Sequence, residues 1–483
     1  MNICFVSSEI VPFAKTGGLA DVSGALGKYL NQRGHDIRLF MPYYDVLKHA
    51  GQDFHPVDFL QNIPVEFGGF TLNFSVLTTK LPGSGAETYF IHCPGLYNRG
   101  KIYTNDGDEY LRYAMLSRAA IESCQRMGWS PEIMHCNDWQ TGLIPLYLKT
   151  LYAWDGLFQR TKTVLTIHNI GYQGVFSAET VDKLKLGEFR DKLPQDDLAG
   201  NMINFMKIGL LNSDIITTVS DTYAKEIQTP EYGAGMDFIL RQRSNRLVGI
   251  VNGVDYHEWS PENDVHIPYK FSPDDLSGKQ KNKQFLLQQL GLPYSPDVPV
   301  YGIVSRLTVQ KGFELLYETL FDFLANHDVR FTVLGSGESK YTNFFYSAQN
   351  HFPTKLCFYD GYNEALAHLI EAGSDMFVMP SRYEPCGLNQ IYSLKYGTVP
   401  IVRKTGGLAD TVELYDWEHQ TGTGFVFEYF NGDSLRWAMD YAFSTYQNKD
   451  AWLKLMRNGM AQDYSWDRQI LRYEFIYNWL ARQ

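Results

Sequence analysis

The chain has 483 residues, 44% of them hydrophobic and 20% charged, the balance of a soluble globular protein with room for two or three domains. A net charge of −11 with a pI near 5.6 argues against a nucleic-acid partner but leaves room for a local cationic pocket. No run of about 18 apolar residues occurs, so no membrane span is expected.

Residues 2–7 form a short apolar run that reads as a buried parallel strand, and no signal or transit segment is expected before it. Lys15-Thr-Gly-Gly-Leu-Ala-Asp21 follows, and the same seven residues recur as Lys404 to Asp410. Paired glycines let backbone N–H groups approach a ligand, and the next residues read as a helix opening, which suits phosphate. The preceding lysine adds a mobile charge. Two such loops suggest two similar half-molecules directed at one anionic ligand. For a single copy, a helix-start turn that binds nothing stays open. Residues 21–33 read as helix closed by Gly34, and 37–41 as the next strand. The motif is neither a Walker A loop, since its lysine precedes the glycines, nor GxGxxG.

Further strands are expected at 88–92, 133–135, 163–168, 215–219 and 247–251, with helices at 109–126 and 201–212 between them. That alternation implies a mostly parallel sheet with helices on both faces, whose ligands bind at the carboxyl ends of the strands. The polar strand ends are Ser7-Ser8-Glu9, His135-Cys-Asn-Asp138, His168-Asn169, Ser220 and Asn252-Gly-Val-Asp255. Residues 256–281, with Pro261, Pro268 and Pro273, read as a linker. A second series has strands at 298–304, 331–334, 356–358, 376–379 and 399–402, and 466–480 reads as an aromatic-rich helix. The expected domains are 1–255, 256–460 and a helix, 461–483, crossing back to the first.

Six cysteines are scattered without a CxxC pair, so they read as reduced, buried hydrophobes in a cytosolic protein, and a zinc site is not expected. Aromatic content of 15% is weakly suggestive of sugar binding; large enzymes also have aromatic cores. Ser305-Arg-Leu-Thr-Val-Gln-Lys311-Gly312 places two cations at a strand end, suited to a departing diphosphate or simply solvated. Ser381-Arg-Tyr-Glu-Pro-Cys-Gly-Leu-Asn-Gln390 runs from strand to helix. It offers the Glu384 carboxylate for sugar hydroxyls and the amides of Gly387, Leu388 and Asn389 for phosphate, or else an ordinary capped loop.

These motifs, with His135-Cys-Asn-Asp-Trp139 and His168-Asn-Ile-Gly-Tyr-Gln-Gly174, resemble those of the bacterial-type glycogen synthases and plant-type starch synthases, and the resemblance runs from Met1 to the C-terminal helix. It implies the α/β GT-B architecture: two Rossmann-like, doubly wound domains facing each other across a cleft. It implies a retaining transfer of glucose from ADP-glucose to the non-reducing end of an α-1,4-glucan. Lys15 and the amides of Gly17 and Gly18 are then expected at the diphosphate and glucose, and Arg306 and Lys311 at the leaving ADP. The Cys386-Gly387-Leu388-Asn389 backbone is expected beside them. Glu384 is expected on the glucose, His168 near its C6 hydroxyl with Asp138 close by, Tyr362 on the adenine and Asp21 near the ribose. Asn389 stands where the family often has threonine. No cofactor or metal is expected, and the partners are a nucleotide sugar and an α-glucan polymer, with no nucleic acid or membrane. The expected location is the cytoplasm, or the plastid stroma for a processed plant-type chain. The alternatives are a GT-B enzyme preferring UDP-glucose and a non-catalytic, granule-associated relative. A dinucleotide dehydrogenase is excluded because no GxGxxG follows a strand.

Overall fold

The computed structural model describes residues 1–49 and 51–483. They form two compact units, one of Met1–Val219, Ala224–Ile250 and Trp466–Gln483, the other of Ser220–Tyr223 and Val251–Ser465.

The first unit is built on a ten-stranded sheet. Its parallel part runs in the order Leu247–Gly249, Ile215–Thr218, Lys162–Ile167, Ile133–Asn137, Asn2–Val6, Asp36–Pro42 and Glu87–His92. Most of these strands are continuous apolar runs, as burial on both faces requires, with Ile3 to Val6 and Ile133 to Asn137 wholly inside. The first strand in sequence lies centrally, between the second and Ile133–Asn137, so connections leave it in both directions. That is a topological switch point, and the crevice beyond the carboxyl ends is where ligands bind in such sheets. Phe70–Lys80 then adds antiparallel to Glu87–His92, with Ile63–Phe67 and His55–Pro56 paired to it.

The C-terminal helix Trp466–Ala481 packs in this unit. Tyr477 Oη lies 2.6 Å from His135 Nδ1 in the interior, and Glu474 pairs with Arg33 at 2.7 Å and His35 at 3.0 Å.

The second unit has a six-stranded, all-parallel sheet ordered Leu356–Asp360, Arg330–Gly335, Val300–Val304, Met376–Met379, Val399–Arg403 and Phe425–Phe427. In chain order this is 3-2-1-4-5-6, the Rossmann arrangement, with its switch point between the first and fourth strands.

Two expectations need correction. Residues 201–212 are not one helix: Met202–Asn204 pairs as a strand with Val175–Ser177, and the helix starts at Phe205 because Asn204 Oδ1 accepts the Lys207 N–H at 3.0 Å. The stretch 256–281 is not a loose linker. Ile267 and Phe271 are buried against Tyr396 and Met460, and the helix Ser277–Gln289 begins within it.

Among the described residues all six cysteines are free, and no helix is long and apolar enough to cross a membrane.

Candidate active site

In the first unit, predicted residues gather at the switch point. The chain leaves Asn2–Val6 through Ser7, Ser8 and Glu9, all buried. Glu9 organises the glycine loop: Oε1 accepts the Thr16 hydroxyl at 2.7 Å and Tyr103 Oη at 2.5 Å, and Oε2 accepts the amides of Thr16 and, at 3.3 Å, Gly17. The Gly17 amide, expected on the diphosphate, is therefore held by Glu9. The helix begins at Gly18 rather than Asp21, which puts Asp21 in its first turn, where a carboxylate complements the N-terminal dipole. Asp21 receives Lys15 at 2.7 Å. No heavy atom lies within 4 Å of the place a Cβ would take on either Gly17 or Gly18, so the space over both is open.

Beside this loop's strand ends Ile133–Asn137, followed by Asp138, whose φ of 53° is unusual for a non-glycine residue. Asp138 Oδ1 accepts the His168 amide at 2.7 Å. Burial pushes the Asp138 carboxyl up to about 7 against the pull of the His168 and Asn169 amides. Asn137 donates to Val6 O at 3.0 Å, which turns its Oδ1 to His168 Nε2, also at 3.0 Å. His168 Nε2 is thereby the protonated nitrogen, and burial holds the imidazole down at about 3, a neutral ring at physiological pH.

In the second unit the switch point joins the two motifs read as diphosphate and sugar sites. Val300–Val304 leads to Ser305 and the exposed Arg306, which has no side-chain partner among the described residues. Gly312, at φ +68°, closes the turn after Lys311, and a Cβ there would fall 2.0 Å from Pro380 O, so the two loops touch through backbone. Lys311 Nζ lies 2.7 Å from Glu384 Oε2, which also accepts Ser381 Oγ at 3.0 Å. Glu384 is buried. Leu388 precedes the helix Asn389–Lys395, and Asn389 Nδ2 donates to Val304 O at 2.7 Å, tying this loop to the end of the first strand. Gly387 takes φ +73°. The Cys386 thiol is buried and pushed up to about 12, so only the Cys386 backbone can serve a ligand. Tyr362 stands 80% exposed beyond the end of Leu356–Asp360.

The second glycine loop departs from expectation. A Cβ on Gly406 would lie 1.9 Å from Glu384 O, and one on Gly407 would lie 2.1 Å from Cys386 O. The Gly407 amide donates to the carbonyls of Glu384 at 3.1 Å and Pro385 at 3.2 Å. This copy buttresses the Glu384 loop, so its glycines admit protein backbone instead of a ligand.

Sequence reasoning assigned no role to Glu9, Tyr103, Asn137 or Ser381. For Glu9 and Asn137 the available signal was a polar residue at the end of a buried strand.

Two Rossmann-like units, each with ionic and glycine-rich groups at a switch point, make the α/β architecture of the GT-B class, which the chain shares with glycosyltransferases of known structure. The starch synthase catalytic domain family matches residues 2–242, and the group 1 glycosyl transferase family matches residues 291–455. Over 99% of its length the chain is 45% identical to the glycogen synthase of Koribacter versatilis, spanning 98% of that protein, and 43% identical to glycogen synthase 1 of Geobacter sulfurreducens, spanning 96%. Its structure is similar to the catalytic domain of starch synthase IV from Arabidopsis thaliana bound to ADP and acarbose, at a TM-score of 0.91 and 33% identity, covering 100% of this chain and 99% of that one. The chain belongs to the glycogen and starch synthase family and is a glucosyltransferase of glycogen or starch synthesis.

Proposed function

We propose that the chain transfers glucose from ADP-glucose to the non-reducing end of an α-1,4-glucan with retention of configuration. The observation that carries this reading is the Arg306–Lys311–Glu384 group at the second unit's switch point. An exposed guanidinium at a strand end suits a diphosphate, which it can grip through two parallel N–H···O bonds. Lys311 balances the buried Glu384 charge until the donor arrives; the sugar hydroxyls then donate to Glu384 while the ammonium turns to the phosphates. Charge on the leaving diphosphate grows toward the transition state, and fixed cations act most strongly there. The backbone of Gly387, Leu388 and Asn389 lies at the same strand ends, and in this reading the exposed Tyr362 covers the adenine. ADP is the nucleotide that the Arabidopsis relative binds.

In this proposal Lys15 and the open face of Gly18 serve the diphosphate and glucose, with Asp21 steering Lys15 and reaching the ribose. Neutral His168 presents its Nδ1 lone pair to a sugar hydroxyl, and Asp138 fixes the turn that carries it. The reaction uses Lys15, Arg306 and Lys311 where metal-dependent transferases place a divalent ion, so no metal takes part in it. The work is placed in the cytoplasm.

Labelled ADP-glucose and UDP-glucose, each offered with a glucan primer, test the reading. Incorporation from ADP-glucose into material released by an α-1,4-specific glucanase is expected, with Arg306→Ala and Lys311→Ala each lowering kcat by roughly 10² to 10³, as loss of an oxyanion donor does. Incorporation from UDP-glucose alone, or a change in donor KM with kcat intact in both variants, refutes it.

A further inference from the structure

The stretch 256–281 and the helix Glu364–Gly373 build an arrangement that glucosyl transfer does not use. His368, fully buried on that helix, meets Asp264 Oδ2 through Nδ1 at 2.8 Å. The same oxygen accepts Tyr396 Oη at 2.5 Å, and Asp264 Oδ1 accepts the His266 amide at 2.8 Å. A carboxylate only accepts, so Nδ1 carries the imidazole proton and Nε2 holds the lone pair. That Nε2 is buried and has no hydrogen-bond partner. An unpaired buried polar atom is costly and calls for an explanation.

The neighbours supply one. Glu364 lies four residues before His368, hence on the same helix face. His266 is brought over by the Asp264 turn, its ring centroid 4.5 Å from that of His368. One donor atom from each of His266, Glu364 and His368 lies within 4.8 Å of the others. Metal bonds of about 2.0–2.1 Å need tetrahedral ligands about 3.4 Å apart. His266 and Glu364 are exposed and free to close that gap, while Trp259, stacked on His368 at 3.6 Å, keeps the third ligand in place.

We propose that His266, Glu364 and His368 bind a divalent transition-metal ion of the zinc type, with water in the fourth position and Asp264 orienting His368 from behind. Two imidazoles and a carboxylate match zinc's preferences, and a carboxylate behind a ligating histidine is the usual arrangement for fixing its tautomer. The ion would pin the loop carrying His266 to the helix. None of Arg306, Lys311 or Glu384 belongs to the set, although Glu364 follows Tyr362 by two residues at the start of its helix. A search for paired cysteines cannot reveal it.

The test strips the full chain with a chelator and titrates it with Co²⁺ and with Zn²⁺. Expected are one tight site per chain, a visible Co²⁺ absorption of four-coordinate type and a Zn²⁺-dependent rise in unfolding temperature. His266→Ala and Glu364→Gln, both at exposed positions, should keep the metal-free unfolding temperature of the parent and each weaken binding by about tenfold or more. No tight site, or undiminished affinity in either variant, overturns the proposal.

Discussion

The two Lys-Thr-Gly-Gly-Leu-Ala-Asp segments have one sequence and two environments. At Lys15–Asp21 the amides of Thr16 and Gly17 go to the Glu9 carboxylate, and the space over both glycines is open. At Lys404–Asp410 the Gly407 amide goes to the main chain of the Glu384 loop, whose carbonyls fill the space over both glycines. The aspartates diverge as well. Asp21 holds the mobile Lys15, whereas Asp410 accepts the Thr222 amide at 2.8 Å and hydroxyl at 2.5 Å. Absence of a Cβ is therefore used once to leave room and once to let two loops meet. The chain paths differ too: Gly17 is extended and caps a helix that starts at Gly18, whereas Gly406, at φ +44°, is itself the first residue of its helix, so a repeated motif fixes neither the local path nor what approaches it.

Substituting the glycines tests this contrast most severely. Gly407→Ala forces a methyl against the Cys386 carbonyl, and rigid backbone cannot yield as a side chain does. Urea unfolding should show a loss of about 3 kcal/mol or more, the upper end of overpacking costs, with activity lost as the Glu384 loop shifts. Gly18→Ala should fold at least as stably, gaining up to about 1 kcal/mol in its helix, while transfer falls because the methyl enters the open space. Equal stability losses in the two variants would erase the distinction.

The lysines provide a milder comparison. Lys15→Ala should lower kcat/KM by roughly tenfold to a hundredfold, the worth of a hydrogen bond to a charged group. Lys404, exposed and 3.8 Å from Glu428, should tolerate alanine with less than about 0.5 kcal/mol change in stability and nearly unaltered kinetics. Steady-state assays of both variants decide, and a matching loss in Lys404→Ala would give the second copy a role at the donor.

A further effect is one of pH, in the first unit's site. The Asp138 carboxyl sits at about 7 when folded and near its ordinary 3.8 when unfolded, so the folded chain binds the extra proton. The stability this group contributes is complete below about pH 4 and is lost as pH rises through about 7. From pH 6 to 8 that loss is about 1.4 kcal/mol. Asp138→Asn has no such proton, so the difference in unfolding free energy between the two proteins should move by that amount, in the variant's favour as pH rises. A constant difference across the range would place the carboxyl's titration elsewhere.

Much of the architecture was readable because a strand buried on both faces is an uninterrupted apolar run; Met376–Met379 and the helix Glu109–Arg126 fall where the sequence puts them. The hairpin of Ile63–Phe67 and Phe70–Lys80 was passed over, although buried Ile63, Val65 and Phe67 alternate with exposed Pro64 and Glu66 before a Gly-Gly turn. The site residues that carry charge stood out by type. Their supports did not, since Tyr103 reaches Glu9 across 94 positions and Asn389 reaches Val304 across 85, and no local pattern records such pairings. The metal cluster was hidden for the same reason, with Asp264 and His368 separated by 104 positions.

The helix Trp466–Ala481 has a consequence for the order of events during synthesis. His135, at the centre of the first unit, waits for the Tyr477 hydroxyl, and Arg33 waits for Glu474. Domains that emerge early from a ribosome usually fold first. Here the early-emerging sheet lacks a wall until Trp466–Ala481 leaves the exit tunnel, while nearly all of the second unit, Val251–Ser465, is by then available. The nascent first unit must therefore persist for hundreds of codons with Ile133–Asn137 only partly covered, a window in which a chaperone would find an apolar surface to hold.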